Sequence, residues 1–449
     1  MKYLRRKLES VLKEWALAAP GHPVLIRGAR RVGKTSLVEH LGQEAFEGDF
    51  VKLDFQTDLE RMERIFDAPT DQIDTIITRI GEFKGVRITE KTLVFLDEIQ
   101  LCEKALNSLR FFVGSSWYVI ATGSLLGVTT KQRKLPFPSE VKQLELHPLD
   151  FEEFLWALDA DAMASDIRAH VETCEPYILH ERALEHYRRY LIVGGMPKAV
   201  SVFCETNSFD QVHEVQQEID LTYTADMTDP ESGISGISAK RIWESLPKQL
   251  LRSSTKKFKY ADVVRGGRRE RLLEPLEWLE AAGLVTVNDL TCDDEAPLAP
   301  YRDDEGSFFK VYIADTGLMF YKFNLSAQAF LDEAIAQDLG SDFRGALAEN
   351  YVMQSLVANG VKTFYWMRDG LVGNGEIDFV YQNEFAQIIP VEVKSGRNVK
   401  AKSLARFMQE GHAPYGIRLS LNDFGKSTVG DTAAPLKCLP LYAAFCIGR

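Results

Sequence analysis

The run Gly28-Ala29-Arg30-Arg31-Val32-Gly33-Lys34-Thr35 constrains the fold of this chain more than any other stretch. It fits the pattern G-x-x-x-x-G-K-[ST]. It is preceded by the apolar Pro23-Val24-Leu25-Ile26 and followed by Ser36-Leu37-Val38-Glu39-His40-Leu41. The first flank predicts a short buried strand and the second a helix. A strand that feeds a glycine-rich turn into a helix N-terminus lets backbone N–H groups turn inward around phosphate oxygens, and the helix end adds partial positive charge. The loop and first helical turn, Gly28, Ala29, Arg30, Arg31, Val32, Gly33, Lys34, Thr35 and Ser36, are therefore expected to hold a nucleotide. Lys34 reaches its outer phosphates and the Thr35 hydroxyl ligates Mg²⁺.

A second element carries the matching chemistry. Lys91-Thr92-Leu93-Val94-Phe95-Leu96-Asp97-Glu98 is an apolar run ending in two carboxylates. Strands of a parallel sheet are buried on both faces and read as continuous apolar runs, with ligands at their carboxyl ends. Asp97 is expected to hold Mg²⁺, in part through water, because Mg²⁺ dehydrates reluctantly. Glu98 is expected to orient and deprotonate the water that attacks the γ-phosphorus. A further strand ends in Ala121-Thr122-Gly123-Ser124, and Thr122, with Ser124 behind it, is the expected contact to the γ-phosphate or the water. Capping the next segment is the alternative role for these hydroxyls.

At 449 residues the chain is long enough for two to four domains. No apolar stretch approaches the roughly 20 residues of a membrane span, and the amino terminus leads into an amphipathic helix, so no membrane partner is expected. The six cysteines are far apart without a C-x-x-C pair, which fits free thiols in a reducing cytoplasm. The eight histidines form no ligand cluster, and no structural zinc is expected. A net charge of −12 argues against a protein that coats nucleic acid uniformly and leaves room for a local basic patch.

The pattern divides the chain into four parts. Residues 1–150 alternate helix and apolar strand, predicting a parallel-sheet α/β domain with strands at 24–27, 50–55, 93–96, 117–121 and 141–146. Residues 151–235 are helical, interrupted by Val193-Gly194-Gly195-Met196-Pro197, which predicts a tight interhelical turn. Residues 236–318 order themselves as helix, short element, helix and strand pair, the winged-helix order, with helices at 239–253 and 268–283 and strands at 284–290 and 308–313. Lys256, Lys257, Lys259, Arg268, Arg269 and Arg271, with Arg252 and Arg265, crowd its turn and the start of the second helix. That distribution suits phosphate contacts to DNA. A solvated face, or a surface docking the acidic first domain, are the alternatives, and the acidic loop at 293–295 and 303–305 opposes a nucleic-acid backbone.

Residues 319–449 hold a second constellation. A helix begins near Gly345, and two strands, 375–381 and 388–394, are joined by a short turn near Asn383. Alternation puts Glu392 and Lys394 on one face. With Asp378 opposite Pro390, its carboxylate shares that face at a diagonal of roughly 7–8 Å from Glu392. Two such carboxylates can share a second Mg²⁺ or Mn²⁺. Glu349 on the helix adds a third, and Lys394 positions or deprotonates an attacking water. An ordinary hairpin with a surface ion pair is the alternative.

Taken together, several segments resemble one family, the prokaryotic AAA-type ATPases fused to a carboxy-terminal domain of unknown function. Its marks are R-G-A-R-R-V-G-K-T (27–35), L-D-E-I-Q (96–100), T-G-S (122–124), H-P-L-D-F-E-E-F-L (147–155) and G-G-M-P (194–197). To these are added K-K-F-K-Y (256–260), W-L-E-A-A-G-L (278–284), A-E-N-Y (348–351), E-I-D-F-V (376–380) and P-V-E-V-K-S-G (390–396). The resemblance implies an α/β multidomain chain. It has a P-loop NTPase core with a parallel sheet, a helical and winged-helix middle, and a carboxy-terminal PD-(D/E)xK nuclease-like domain. It implies ATP and Mg²⁺ at Lys34, Thr35, Asp97 and Glu98, nuclease-type roles for Glu349, Asp378, Glu392 and Lys394, and DNA, a protein partner or further copies of the chain as partners. The chain departs from the family pattern at Arg31, where Gln is common, and at Pro138-Ser139-Glu140-Val141, where Gly-Arg or Gly-Lys is common. Lys131, Arg133 and Lys134 are nearby basic substitutes, and Arg188 and Arg189 more distant ones. A chain of this kind is expected to hydrolyse ATP and couple that to a nuclease-like domain, which either cleaves DNA or only binds it or a protein.

Overall fold

A computed structural model describes residues 2–69, 71–124, 140–229, 234–252, 256–303, 306–332, 339–368, 375–397, 402–410, 413–428 and 435–448. Lys131, Arg133, Lys134, Pro138 and Ser139 fall outside this set. The chain forms two compact units. The first is Met1–His147 with Asp229–Ile234 and Ala281–Gly283; the second is Pro148–Thr228, Ser235–Glu280 and Leu284–Arg449.

In the first unit, helix α1 (Leu8–Leu17) precedes strand β1 (Val24–Arg27), and helix α2 (Lys34–Ala45) follows the glycine-rich turn. The remaining strands are β2 (Phe50–Asp54), β3 (Leu93–Asp97), β4 (Tyr118–Gly123) and β5 (Lys142–Glu145). All pairings are parallel, in the order β2-β3-β4-β1-β5. Every residue of β3 is buried, as the apolar run requires of a strand covered on both faces. Helices α3 (Leu59–Ile65), α4 (Ile73–Lys84) and α5 (Glu103–Ser108) lie between the strands, as the expected alternation of helix and strand requires. Met62, Ile65, Ile76, Ile80 and Leu106 pack them against Leu53, Val94, Leu96 and Val119 of the sheet. The strand order sets β4 between β1 and β3, so the carboxyl ends of these three strands lie side by side.

The second unit opens on α6 (Phe151–Ala157). Asp150 accepts a hydrogen bond from the Glu153 backbone N–H at 3.0 Å, and the Glu153 carboxylate accepts one from the Asp150 N–H, a reciprocal cap of about 1 kcal/mol. Helices α7 (Asp161–Thr173), α8 (His180–Val193), α9 (Pro197–Thr206) and α10 (Phe209–Thr228) follow. The glycine break between α8 and α9 does more than turn the chain. Gly194 has φ 73 and ψ −164, and a Cβ there would meet the Asp315 carboxylate and the Gly317 backbone. Asp315 in turn accepts from the Gly195 N–H at 2.6 Å and from the Leu318 N–H at 2.9 Å, tying the break to helix α14 (Thr316–Lys322).

Helices α11 (Gly236–Arg252), α12 (Tyr260–Val263) and α13 (Arg269–Ala281) lead into β6 (Val285–Thr291). A two-residue ladder, β7 (Arg302–Asp303) with β8 (Gly306–Ser307), precedes β9 (Phe309–Ile313). Strands β6 and β9 pair antiparallel as expected, but they do not stand apart as a wing. Strand β6 also pairs in parallel with β10 (Thr363–Met367), so one eight-stranded sheet, β14-β15-β13-β12-β11-β10-β6-β9, spans the boundary drawn at residue 318. The free edge of β6 offers unpaired N–H and C=O groups, and β10 satisfies them. The other strands are β11 (Glu376–Gln382), β12 (Ile388–Val393), β13 (Gly416–Ser420), β14 (Gly425–Thr428) and β15 (Pro435–Pro440). Of these, β10, β13, β14 and β15 were not expected. Short α15 (Ala327–Leu331) precedes α16 (Ser341–Ala358). Residues 346–356 of α16 are all buried, the mark of a helix enclosed on every side, and α17 (Lys402–Glu410) follows β12.

The β11–β12 register differs from the expected one. Phe379 lies opposite Val391 and Val380 opposite Pro390, so Asp378 falls at Glu392, not at Pro390. The turn is the cause. The Asn383 side chain accepts from the N–H groups of Phe385 (3.0 Å) and Gln387 (2.9 Å), and this closes a five-residue loop with its apex at Phe385. The partner of Asp378 moves by two residues, so Asp378 and Glu392 still share a face.

Candidate functional site

At the carboxyl end of β1, Gly28 (φ 148) packs where a Cβ would strike the Leu146 carbonyl, and Gly33 (φ 96) opens α2. Both positions require glycine, one for close approach and one for its left-handed backbone. Lys34 is buried, and its ammonium donates to the carbonyls of Gly28 (3.0 Å) and Ala29 (2.9 Å) across the loop. Burial pulls it down to about 8, against the pull of Glu98 and Asp97. Ser36 and Arg31 are exposed, and Val32 is fully buried beneath the loop.

Asp97 is the hub. Thr35 Oγ1 lies within hydrogen-bond distance of both its oxygens (3.1 and 3.0 Å), Thr122 Oγ1 donates to Oδ1, and Lys52 Nζ lies 3.0 Å from Oδ2. Lys52 also bridges to Glu39 at 3.0 Å. Adjacent Glu98 adopts φ 55, uncommon for a residue with a Cβ. Its Oε2 accepts from Gln100 Nε2 (2.6 Å) and from Ser124 Oγ (2.9 Å). Lys34, Thr35, Asp97, Glu98, Thr122 and Ser124 thus converge from three elements. Sequence reasoning missed Lys52 and Gln100. The signal for Lys52 was a lysine in an alternating strand, Phe50-Val51-Lys52-Leu53-Asp54, which reveals its neighbour only once β2 is known to pair with β3. Buried ammonium, hydroxyl and carboxylate groups around a glycine turn form the donor set that a nucleotide phosphate with Mg²⁺ requires.

The second constellation is denser than expected. Glu349 on α16 is 2% exposed. Its oxygens meet the ammonium of Lys256, Lys310 Nζ at 3.0 Å and the hydroxyl of Tyr312 at 2.5 Å. Burial alone would raise this carboxyl, but Lys256 and Lys310 hold it well below the usual carboxylate range. Lys310 is fully buried in β9 and also contacts Glu376 at 2.6 Å. Burial would strip its proton, yet Glu349 and the Tyr312 oxygen, with Glu376, keep it charged. Asp378 Oδ2 accepts from the Val393 N–H at 2.7 Å. Burial, then the charge of Glu349, push Asp378 up; burial, then Asp378, push Glu392 up. Glu392 pairs with the ammonium of Lys394, while its Oε2 is buried with no hydrogen-bond partner among the described residues.

Two ammoniums and a phenol thus meet the oxygens of Glu349. Among the described residues, no group of three or more His, Cys, Asp or Glu side chains is arranged to hold a metal ion. Asp378 and Glu392 share a face, and one Glu392 oxygen is left without a hydrogen-bond partner among the described residues. Lys256 has a left-handed backbone (φ 49), and its ammonium pairs with the buried Glu349. Lys257 lies over the Phe308 ring at 4.6 Å, whereas Lys259, Arg265, Arg268, Arg269 and Arg271 are exposed. Sequence reasoning missed Lys310, Tyr312 and Glu376. A lysine inside the apolar run Phe308-Phe309-Lys310-Val311-Tyr312-Ile313 was the available signal.

All six cysteines carry free thiols. Among the described residues, no helix is long and apolar enough to cross a membrane.

Residues 21–155 match the family model of an AAA domain, residues 184–329 a domain of unknown function (DUF8612), and residues 344–439 a domain of unknown function (DUF4143). An uncharacterized protein from Methanocaldococcus jannaschii, MJ1544, is 22% identical over 440 residues, covering 94% of this chain and 88% of its own. Solved structures with some likeness include AMPPCP-bound DnaA from Aquifex aeolicus. It is 11% identical, with 62% of this chain and 89% of that chain covered and a TM-score of 0.27. Cdc6p from Pyrobaculum aerophilum is 12% identical, covering 76% and 96%, with a TM-score of 0.26. Drosophila ORC bound to DNA is 11% identical, covering 71% and 85%, with a TM-score of 0.27. At such TM-scores the likeness carries no argument. The chain has an α/β core with a parallel sheet, a helical middle and a second sheet at its carboxyl end, and residues 21–155 of that core match the model of an AAA domain.

Proposed function

We propose that this chain is a Mg²⁺-dependent ATPase whose nucleotide state controls a nuclease-like, DNA-interacting carboxy-terminal unit. One observation carries the first half: the convergence of Thr35, Thr122 and Lys52 on the Asp97 carboxylate, with Glu98 held beside it by Gln100 and Ser124. Thr35 and Asp97 would hold Mg²⁺, which when bound neutralises charge between the outer phosphates. The N–H groups of residues 28–36 orient the phosphates, and Lys34 regains from them the negative surroundings that burial removed. Glu98 takes the proton of the attacking water at a carboxylate oxygen. Gln100 and Ser124 hold the other oxygen, Oε2, in place, and Thr122 donates to Asp97 beside it. This division of labour follows the general logic of phosphoryl transfer, in which positioning and charge do most of the work.

For the second half, Asp378 and Glu392 would hold a divalent cation whose chemistry is activation of a water toward a phosphodiester. Lys394 orients that water or balances charge, and Lys259, Arg268, Arg269 and Arg271 supply backbone contacts to DNA. A second reading has specific support. The ion pairs that occupy Glu349 leave fewer ligands than a cleaving site commonly uses, and in that reading the unit binds DNA or a protein without cutting.

The ATPase assignment is tested by phosphate release. Lys34→Ala and Glu98→Gln are expected to reduce Mg²⁺-dependent turnover at least about 100-fold, the scale of losing a general base or a positioned charge. Turnover equal to that of the unmodified protein in both variants would sink the assignment.

A further inference from the structure

The second unit contains a cleft of about 460 Å³ that none of the roles above uses. Its apolar floor comes from Leu191 of α8, Leu347 of α16, Phe330 and Leu441. Three guanidiniums belong to its lining: Arg188 on α8, Arg344 on α16 and Arg397 after β12. Two polar atoms of the lining have no hydrogen-bond partner among the described residues, the Tyr187 hydroxyl and Arg344 Nε. Tyr187 is 2% exposed, its ring clamped edge-on against Phe151 and Tyr351. An unpaired buried donor costs about 1–3 kcal/mol, and here two of them belong to one cleft.

We propose that this cleft binds a small aliphatic carboxylate. Each part of the lining excludes another class of ligand. The arginines exclude cations and give neutral apolar molecules nothing to pair with. The leucine floor cannot satisfy a hydrated inorganic anion. The volume suits a compact ligand, since specific small-molecule sites span about 300–1,000 Å³, whereas a macromolecular face buries about 1,000 Å² or more. Guanidinium forks match carboxylate oxygens in paired geometry and are weakly hydrated, so they pair well beside apolar surface. Arg397 already bridges to Glu181 at 2.5 Å, so part of the positive charge of the lining is answered within the protein. In the bound state one carboxylate oxygen would accept from Arg344 Nε and the other from the Tyr187 hydroxyl, while the chain lies on the leucines. Ala348 and Ser395, which adjoin Glu349 and Lys394 in sequence, also line the cleft.

Calorimetric titration of the full chain with sodium octanoate tests this, with acetate, octan-1-ol, octyltrimethylammonium and octyl phosphate as comparators. Saturable binding of octanoate is expected, at least ten-fold tighter than of acetate, octanol or the cation, and no weaker than of octyl phosphate. Arg344→Gln is expected to weaken octanoate at least ten-fold. Tyr187→Phe removes only the orphaned hydroxyl, so its thermal transition should match that of the unmodified protein while octanoate binds several-fold more weakly. The proposal is overturned by the absence of saturable octanoate binding, by equal binding of octanol, by octyl phosphate binding ten-fold tighter, or by full affinity in both variants.

Discussion

Replacing Glu349 by glutamine removes one carboxylate and leaves two ammoniums, Lys256 and Lys310, facing a neutral amide. At an effective dielectric of about 20, an ion pair at the 3.0 Å separation of Lys310 and Glu349 carries about 5 kcal/mol of attraction. Much of that offsets the desolvation of the buried partners, and breaking such a pair from one side costs about 3–5 kcal/mol. Two features place this case at the lower end. Glu376 remains 2.6 Å from Lys310, and Lys256, with 18% of its side chain exposed, can recover some hydration. A loss of about 3 kcal/mol lowers the transition of the second unit by roughly 5 °C, readable by calorimetry at pH 7. The pH dependence gives a sharper check. A carboxyl held below its ordinary value contributes stability that is present above the unfolded value and lost as pH falls through the folded one. The gap between the unmodified protein and Glu349→Gln should therefore be full at neutral pH and shrink below about 4.5. Adding Lys256→Met to Glu349→Gln should restore part of the loss, because the ammonium that Glu349 paired is gone while Lys310 keeps Glu376. A loss under about 1 kcal/mol, a gap independent of pH, or strict additivity of the two substitutions would each refute this account of the network.

Two further outcomes are expected. With Mg²⁺ or Mn²⁺ and linear, nicked and branched DNA, Asp378→Ala and Lys394→Ala should each abolish cleavage seen with the unmodified protein; if neither changes the products, the binding-only reading stands. Gly194→Ala should destabilise the second unit by more than about 2 kcal/mol, because alanine pays about 1–3 kcal/mol for that backbone conformation and its Cβ would also press on Asp315 and Gly317. A denaturation midpoint unchanged by that substitution would show that the α8–α9 break tolerates a side chain.

What could be read from the chain was what lies contiguous along it. The glycine turn between strand and helix, the carboxylates ending β3 and the E-x-K strand β12 each announce themselves within about ten residues, because phosphate and metal chemistry need fixed local spacing. Pairings across the sheets were not legible in that way. Lys52 meets Asp97 only because β2 lies beside β3, and Lys310 meets Glu376 only because β9, α16 and β11 converge. The β11–β12 register depended on how Asn383 closes its turn, and the extension of a presumed wing into an eight-stranded sheet depended on the free edge of β6 finding β10. The sequence by itself determined that a phosphate loop, a carboxylate-tipped strand and a second carboxylate–lysine pair exist. Only the tertiary structure decided their partners: Lys256 and Lys310 meet Glu349, and Lys394 meets Glu392. The physical reason is that a buried charge must be paired, and which partner it finds is a property of packing and not of spacing.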